Sequence, residues 1–309
     1  MSPSAKVAIL LCTFHGQRHL VEQLESFAAQ SHTNWEVFAS DDGSLDDTHA
    51  ILQAYRAQWG PDRLSIHFGP AEGFAANFLS LTCNAAIQAT YYAYSDQDDI
   101  WENDKLQRAV EWLGRVDPDT PALYCTRTRI VDANNQEIGM SPLFSRQPSF
   151  RNALTQNIGG GNTMVFNRAA RLLLKSAGDV VDVVSHDWWL YMVVTGCGGE
   201  VYYDPYPSLR YRQHPHNAIG VNSSWLARWR RGAMMFKGRF QTWSDLHIAA
   251  IQRIHDKLTP SSQEALSNFS IARKARLLPR LVGMKRAGVY RQTFWGNLGL
   301  VIAILTNKL

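Results

Sequence analysis

The sequence predicts an α/β fold built on a mainly parallel, doubly wound sheet of the Rossmann-like kind. Short runs of apolar, β-branched and aromatic residues alternate with segments of helical length and spacing. The runs are 7–14, 35–42, 64–69 and 91–96, and the segments between them are 17–30, 46–59 and 73–90. This alternation is typical of parallel strands joined by helices that cover both faces of a sheet.

Each element has a local justification. The first run, VAILLCTF, is apolar without interruption, as expected of a strand buried on both faces. The first helical segment places Leu20, Leu24, Phe27 and Ala28 on one face, and the second does the same with Ile51, Leu52 and Tyr55. Further along, a helix over 105–116 leads to a strand ALYCTRTRIVD and a polar turn ANNQ. A Gly-rich stretch, NIGGGNTMVFN, precedes a helix over 168–176, the segment HDWWLYMVV, a strand EVYYD and then SLRYRQH.

Charge divides the chain into two regions. Residues 225–309 hold 15 Lys and Arg against 3 Asp and Glu, whereas residues 1–224 hold 16 against 24. We therefore predict an α/β domain over 1–224 and a basic helical C-terminal region over 225–309. The four cysteines lie far apart without metal-ligand spacing, so we expect neither a disulfide framework nor a zinc site.

The C-terminal region has the composition of a membrane-surface segment. Its last apolar stretch, FWGNLGLVIAIL, is shorter than the roughly 20 residues that span a bilayer. Basic flanks would draw such a helix to anionic lipid, and the first residues do not resemble a signal peptide. We expect a cytoplasmic protein, peripheral to the inner membrane, that does not bind nucleic acid. A helical subdomain packed on the body, or a homo-oligomer interface, is the alternative.

Acidic side chains gather where the fourth predicted strand ends. Asp96, Asp98 and Asp99 lie within four positions of one another. In one interpretation a carboxylate caps the following helix and the others are solvated. In the other, the carboxylates hold Mg²⁺ or Mn²⁺, which completes its shell with substrate phosphates and water. Ligands of doubly wound sheets bind at this edge, so the strand ends should open on one crevice.

Several motifs in order resemble a known family. TFHGQRHL, SDDGS, GFAANF, SDQDDIW, NIGGGNTMVFN, SHDWW and YRQH are similar to the inverting family 2 glycosyltransferases of the GT-A fold, over roughly residues 5–220. SDQDDIW, HDWW and YRQH together resemble bacterial rhamnosyltransferases of surface polysaccharide and O-antigen synthesis. The resemblance implies a metal-dependent transferase that moves L-rhamnose from dTDP-L-rhamnose to a lipid-linked or growing glycan. A UDP-linked hexose, galactofuranose or amino sugar remains an alternative donor, and a non-catalytic membrane-associated assembly partner is a further alternative.

The resemblance assigns nucleotide-binding roles to side chains at the first strand ends. Thr13 and Phe14 match the position where an aromatic ring packs on the base, although His15 stands where relatives often have Asn. Asp42 would accept the ring N–H of uracil or thymine, with Asp41 in support. An Asx-type turn at 41–44 is the alternative. Asn77 falls where the family lines the nucleotide site, with a satisfied surface amide as the alternative.

The resemblance also assigns the metal and diphosphate contacts. Asp96 would lie near the ribose and sugar, and Asp98 would bind the cation. His214 would close the metal site from the far side. Arg212, two positions earlier on the same strand face, would contact the diphosphate. Asp99 is expected to cap the next helix.

The remaining assignments concern the acceptor. Asp187 matches the family's acidic base position, with His186 beside it where Glu often stands, and an N-cap is the alternative role for Asp187. Trp188 and Trp189 would offer flat faces to a sugar, unless they pack in the core. Gly160, Gly161 and Asn162, with Gly159 before them, would bring backbone amides to donor or acceptor, or simply form a flexible turn.

Overall fold

The computed structural model describes residues 5–178, 180–213 and 239–309. Within them, nine strands form one sheet with the order β3-β2-β1-β4-β8-β6-β9-β5, and β7 pairs with β6 at one side. The strands are β1 (Val7–Thr13), β2 (Trp35–Asp41), β3 (Leu64–Phe68), β4 (Tyr91–Ser95), β5 (Ile100–Trp101), β6 (Ala122–Val131), β7 (Glu137–Met140), β8 (Val165–Asn167) and β9 (Glu200–Arg212).

Helices cover the sheet and form the C-terminal region. The helices of the first part are α1 (Leu20–Ala28), α2 (Thr48–Trp59), α3 (Phe74–Cys83), α4 (Lys105–Leu113), α5 (Phe150–Ala153), α6 (Arg168–Ala177) and α7 (His186–Gly196). Those of the C-terminal part are α8 (Arg239–Gln252), α9 (Pro260–Lys274), α10 (Leu277–Ala287) and α11 (Phe294–Leu305).

The mixed α/β fold class is confirmed. Strands β3, β2, β1 and β4 are mutually parallel, as the alternating pattern predicts. Beyond β4 the sheet continues with β8 and β6, and β8 runs antiparallel to both neighbours. Strands β6 and β9 are parallel again.

The third helix is shorter than the sequence indicates. The expected segment reached residue 90, but α3 ends at Cys83 because the Asn84 backbone turns extended, with a ψ of 114°. The Asn84 side chain accepts from Ala86 N, which fixes a turn, and Thr90 N then donates to Lys6 O at the start of β4.

The sheet is buried on both faces, and this explains the unbroken apolar sequence of β1. Ala8, Leu10 and Cys12 belong to one hydrophobic cluster, while Val7, Ile9 and Leu11 belong to the other. The C-terminal helices pack on the first face, where their apolar side chains share that cluster with the body. These side chains include Ile251, Phe269, Met284 and Leu300. The described part of the C-terminal region is therefore packed on the α/β body.

Candidate functional site

The loops after β1 and β2 are joined by Asp41. Its carboxylate accepts from Thr13 Oγ1 at 2.7 Å, from Ser44 N at 2.9 Å and from Ser44 Oγ at 2.6 Å. Ser44 Oγ in turn accepts from His15 N at 2.9 Å, and His15 has a left-handed φ of 52°. Asp41 and Thr13 are buried and organise these two loops, in agreement with the alternative of a turn at 41–44.

The neighbouring Asp42 points toward the loop after β3. Its two carboxylate oxygens accept from Ala71 N at 2.7 Å and from Gly73 N at 3.1 Å. A Cβ on Gly69 would lie 2.5 Å from Asp42 Oδ1 and 2.8 Å from Asn77 Oδ1, so only glycine lets the chain pass this closely. A carboxylate has about four acceptor positions, so Asp42 keeps capacity for a ligand N–H.

Asn77 is buried, which contradicts the alternative of a surface amide. Its Nδ2 donates to Ser40 O at 3.1 Å. Its Oδ1 is buried without a hydrogen-bond partner in the described part of the chain. An unsatisfied buried oxygen is costly, and such groups are enriched at functional positions.

Gln97 holds Phe14 and the acidic loop after β4 (residues 96–99) together, and the sequence motifs did not single it out. The Gln97 carboxamide accepts from Phe14 N and donates to Phe14 O, each at 2.8 Å. These two bonds imitate one step of strand pairing and fix the acidic loop against the end of β1. The Phe14 side chain remains 54% exposed, with the His15 ring tilted against it at a centroid distance of 4.2 Å, so part of the Phe14 ring is open to a planar ligand.

The acidic loop concentrates negative charge beside α7. Burial and the charges of Asp98 and Asp187 raise the pKa of the Asp96 carboxyl to about 8. The structure thus brings Asp96, Asp98 and Asp187 together from two separate sequence motifs. Both Asp96 and Asp98 are half-buried.

Asp99 is fully enclosed by protein, and burial and Asp98 raise its pKa well above its ordinary value. Its carboxylate accepts from the Asn162 amide and, at 3.2 Å, from Arg212 N, and its own N–H donates to Gln23. The expected capping role for Asp99 is wrong, because α4 begins at Lys105 and has Asp104 as its N-cap. Asp99 instead ties the acidic loop to β9 and to the Gly-rich turn.

The Arg212 side chain is enclosed by protein, which disagrees with its predicted contact with a diphosphate. The side chain is 1% exposed and donates to Asp98 O at 3.1 Å, to Ala133 O at 3.0 Å and to the Glu22 carboxylate. Because three of its five guanidinium N–H donors bond to these acceptors, Arg212 supports the acidic loop. Its predicted neighbour His214 lies outside the described residues.

The Gly-rich stretch contains a 3₁₀ turn, Gly161–Thr163. Asn162 is buried and bonds to Asp99. A Cβ on Gly161 would overlap the His186 imidazole, with Cε1 only 3.0 Å away. Gly160 is extended, with a φ of −72°, and leads into this turn.

His186 is buried at the start of α7, next to Asp187. Its ring stacks on Phe78 at a centroid distance of 3.7 Å and meets Tyr94 edge-on at 4.6 Å. Burial lowers the pKa of the imidazole to about 4, so the ring is neutral at physiological pH. Neither ring nitrogen has a hydrogen-bond partner in the described part of the chain.

Asp187 lies in the first turn of α7, where the N-terminal helix dipole favours a negative charge. The alternative N-cap role is wrong, because Ser185 occupies that position. Trp188 and Trp189 do not offer faces to a sugar: both are buried, and Trp188 Nε1 donates to Ala153 O at 2.7 Å. Trp188 packs edge-on against His247 of α8 at 4.5 Å, so the core-packing alternative applies.

Lys105 is a second residue that the sequence analysis missed. It is fully buried, its ammonium lies 4.2 Å from the Trp101 ring centre, and burial lowers its pKa to about 7. Asp99 opposes that shift, which places the two groups close enough for their charges to interact. The sequence could have indicated this buried lysine, because it lies on a helix face whose other buried residues are apolar.

The carboxylates of the acidic loop fit a divalent cation that takes most of its ligands from phosphates and water. Throughout 5–178, 180–213 and 239–309, no three acidic, histidine or cysteine side chains stand close enough together to enclose a metal ion. A Mg²⁺-type site needs only one or two carboxylates, since phosphates and water complete the shell. Burial, together with the charges of Asp98 and Asp187, raises the pKa of Asp96, and a cation at this position would offset the repulsion among the three carboxylates.

The chain is similar in sequence and in fold to known glycosyltransferases. The chain is 27% identical to the dTDP-rhamnosyl transferase RfbG of Shigella flexneri, over 72% of this chain and 77% of that protein. Its fold is similar to that of S. aureus TarS in complex with UDP-GlcNAc (TM-score 0.55, 13% identity, 91% and 89% of the two chains). It is also similar to the mannosyltransferase PcManGT of Pyrobaculum calidifontis in complex with GDP-Man and Mn²⁺ (TM-score 0.50, 17% identity, 99% and 86%). Residues 8–179 match the model of glycosyl transferase family 2. The chain belongs to that family of GT-A fold glycosyltransferases.

Proposed function

We propose that this protein is a metal-dependent, inverting glycosyltransferase that moves L-rhamnose from dTDP-L-rhamnose to a lipid-linked or growing polysaccharide acceptor. The observation that carries the proposal is the meeting of Asp96, Asp98 and Asp187 beside the loops of Phe14 and Asp42. The choice of sugar and nucleotide rests on the similarity to the Shigella flexneri dTDP-rhamnosyl transferase.

The nucleotide end of the site is formed by the β1 and β2 loops. The exposed Phe14 ring would stack on the base, and Asp42 would accept the ring N–H that thymine and uracil share. Asn77 Oδ1, buried and without a partner in the described chain, lies on the same side of Asp42, next to Gly69. Thr13 and Asp41 would act indirectly, by fixing these two loops.

The diphosphate end is formed by the acidic loop. Asp98 would hold Mn²⁺ or Mg²⁺, with His214 as the proposed second ligand and Asp96 toward the ribose and sugar. When bound, the cation neutralises charge on the departing nucleoside diphosphate. Arg212 and Asp99 hold the backbone and neighbouring side chains of this loop in place.

Asp187 is proposed as the general base. Inversion requires that the acceptor hydroxyl lose its proton while it attacks from the face opposite the leaving group, and one carboxylate within hydrogen-bond reach suffices. Asp187 lies in the first turn of α7, where the helix dipole favours a negative charge. The neutral His186 ring behind it fixes the position of this turn against Phe78.

The proposal is tested with a nucleotide-sugar panel. The purified protein is incubated with dTDP-rhamnose and UDP-linked sugars, a lipid-linked acceptor and Mn²⁺, and the product is measured. We expect transfer from dTDP-rhamnose, a loss of at least 100-fold in kcat for Asp187→Ala and for Asp98→Ala, and no change for the exposed control Asp119→Ala.

Two results would redirect the proposal. Transfer from a UDP-sugar alone would replace the donor and leave the chemistry in place. Absence of transfer from every donor, together with no rise in melting temperature on addition of nucleotide and Mn²⁺, would favour a non-catalytic assembly partner.

A further inference from the structure

The last two helices expose apolar stripes instead of polar ones. On α11, every exposed residue of the helix is apolar, and these residues recur at the spacing of one helix face. They are Phe294, Trp295, Leu298, Val301, Ile302 and Leu305, with exposures from 39% to 76%. The opposite face, with Leu300, Ala303 and Ile304, is buried against the body.

The adjoining helix α10 has the same organisation. Leu277, Leu278, Leu281 and Val282 are exposed over its first turns, whereas Arg280, Met284 and Ala287 are buried. The two helices pack together, and Arg280 Nη1 donates to Ile304 O at 3.0 Å. We call the exposed apolar residues of α10 and α11 the C-terminal face.

Basic side chains border this face and acidic ones are missing from the sequence around it. Lys274, Arg276, Lys285 and Arg286 are exposed at the two ends of α10. Residues 265–309 contain eight Lys and Arg and no Asp or Glu. An apolar face with a basic border complements an anionic lipid surface, where apolar side chains enter the interface and cations meet the headgroups.

A second copy of the chain fits this face less well. A twofold interface would place the same basic border against itself, and like charges there would repel. In addition, no helix in the described ranges has the length and apolar character needed to cross a membrane. The charge pattern therefore favours a bilayer surface that the helices lie along.

The face is fixed relative to the candidate active site. Arg151 Nη1 donates to Ala287 O at 2.6 Å, and Asn152 Nδ2 and Thr155 Oγ1 both donate to Tyr290 O, at 3.0 and 2.8 Å. The segment that makes these bonds leads directly into the Gly-rich turn that packs on His186 and Asp99. A membrane held on the C-terminal face would thus stand at a set distance from Asp187.

We propose that α10 and α11 dock the enzyme on an anionic membrane through the C-terminal face, so that lipid-linked acceptors reach the site from the bilayer. The role for the acceptor rests on the proposed function, whereas the docking itself does not. Each basic residue near such a surface changes binding by about fivefold, and insertion of Trp295 and Leu278 adds an apolar contribution that salt does not screen.

The test is sedimentation of the full chain with vesicles, without any nucleotide sugar. Vesicles of neutral phosphatidylcholine are compared with vesicles that contain phosphatidylglycerol. We expect binding to the anionic vesicles, at least a tenfold loss in Leu278→Glu and in Trp295→Glu, and at least a tenfold loss in the combined Lys274→Gln, Arg276→Gln and Lys285→Gln variant. The matched control Leu172→Glu, on an exposed position of α6, should bind like the unaltered protein.

Folding and nucleotide binding are measured on the same variants, so that a failure of the membrane-docking proposal can be distinguished from a failure of the proposed transferase function. Unchanged melting temperatures and an unchanged rise with dTDP show that the variants are folded and keep the nucleotide site. Equal vesicle binding by all variants would overturn the docking proposal. The proposal would also be overturned if vesicle binding were lost only when the basic residues of segment 225–238 are replaced. A third contrary result would be a dimer detected by light scattering that is held together by the C-terminal face and does not bind vesicles.

Discussion

The contact between Gly161 and His186 provides the sharpest single test of how the site is built. A Cβ at position 161 would overlap Nε2 of the imidazole most closely, and would lie 3.0 Å from Cε1 and 3.3 Å from Cδ2. Non-bonded heavy atoms pack best at about 3.5–4.0 Å, so the overlap with Nε2 would require the ring to retreat by at least about 1 Å. Phe78 at 3.7 Å and Tyr94 at 4.6 Å leave it no free space. We expect Gly161→Ala to lower the free energy of unfolding by about 1–3 kcal/mol.

The same displacement should impair catalysis. His186 precedes Asp187 on α7, so a shifted ring moves the proposed base, and a misplacement of about 1 Å can cost about 100-fold in rate. The assays are urea unfolding and steady-state transfer. Gly159→Ala is the matched control in the same glycine run, because its Cβ would meet Thr163 Oγ1 at a milder 3.2 Å.

A double-mutant cycle separates this contact from general damage. Adding His186→Ala to Gly161→Ala removes the overlap, so the combined loss of unfolding free energy should be smaller than the sum of the single losses. Unchanged stability and kcat in Gly161→Ala, or simple addition of the two losses in the double variant, would show that this contact does not hold the site in place.

Three further predictions concern buried charge. Replacing Arg212 by Met removes the donor from the carbonyl oxygens of Asp98 and Ala133 and from the half-exposed Glu22 carboxylate. We expect the free energy of unfolding to fall by about 1–3 kcal/mol in urea melts and Mn²⁺ to bind more weakly, and unchanged values would contradict this role. The folded-state pKa of His186 is about 4 against an ordinary 6.5, so stability should be lost as the pH falls from 6.5 toward 4. His186→Phe should remove up to roughly 3 kcal/mol of that loss, and an unaltered pH profile would count against it. The pKa of Lys105 is lowered from 10.5 to about 7, so stability should decline as the pH falls through that interval, and Lys105→Met should flatten the decline in melts at pH 9.5 and 6.5.

The sequence predicts the first half of the fold because its strands are buried on both faces. An unbroken apolar run such as that of β1 is buried on both faces only when helices cover both sides of the sheet. The polar residues that follow the run then lie at the carboxyl-end edge of the sheet. The grouping of Asp96 and Asp98 with Asp187 follows from the same logic, once β4 and α7 are both placed beside that edge.

The errors arise where a side chain's neighbours come from distant parts of the chain. Arg212 has the spacing of a ligand contact, but the carbonyls that capture it belong to the acidic loop and to the turn after β6. Trp188 and Trp189 look like exposed aromatics beside a base, yet α7 is covered by α5 and α8 and has almost no free face. The spacing of residues in the sequence does not show which side chains are covered by helices from distant parts of the chain.

Gln97 was overlooked for a different reason. An uncharged amide between acidic residues carries no chemical signal of its own, and its importance lies in two bonds to the Phe14 backbone on another strand end. Gln97 therefore links the proposed base-stacking ring to the proposed metal loop.

The central claim is that the acidic loop after β4 binds a divalent cation together with a nucleoside diphosphate. Mn²⁺ titration followed by electron paramagnetic resonance, with and without dTDP, tests it on the unaltered protein and on Asp98→Asn. We expect dTDP to tighten Mn²⁺ binding to the unaltered protein at least tenfold, Asp98→Asn to abolish this gain, and the control Asp119→Asn to keep it. Equal Mn²⁺ binding by all three proteins in the presence of dTDP would contradict the account.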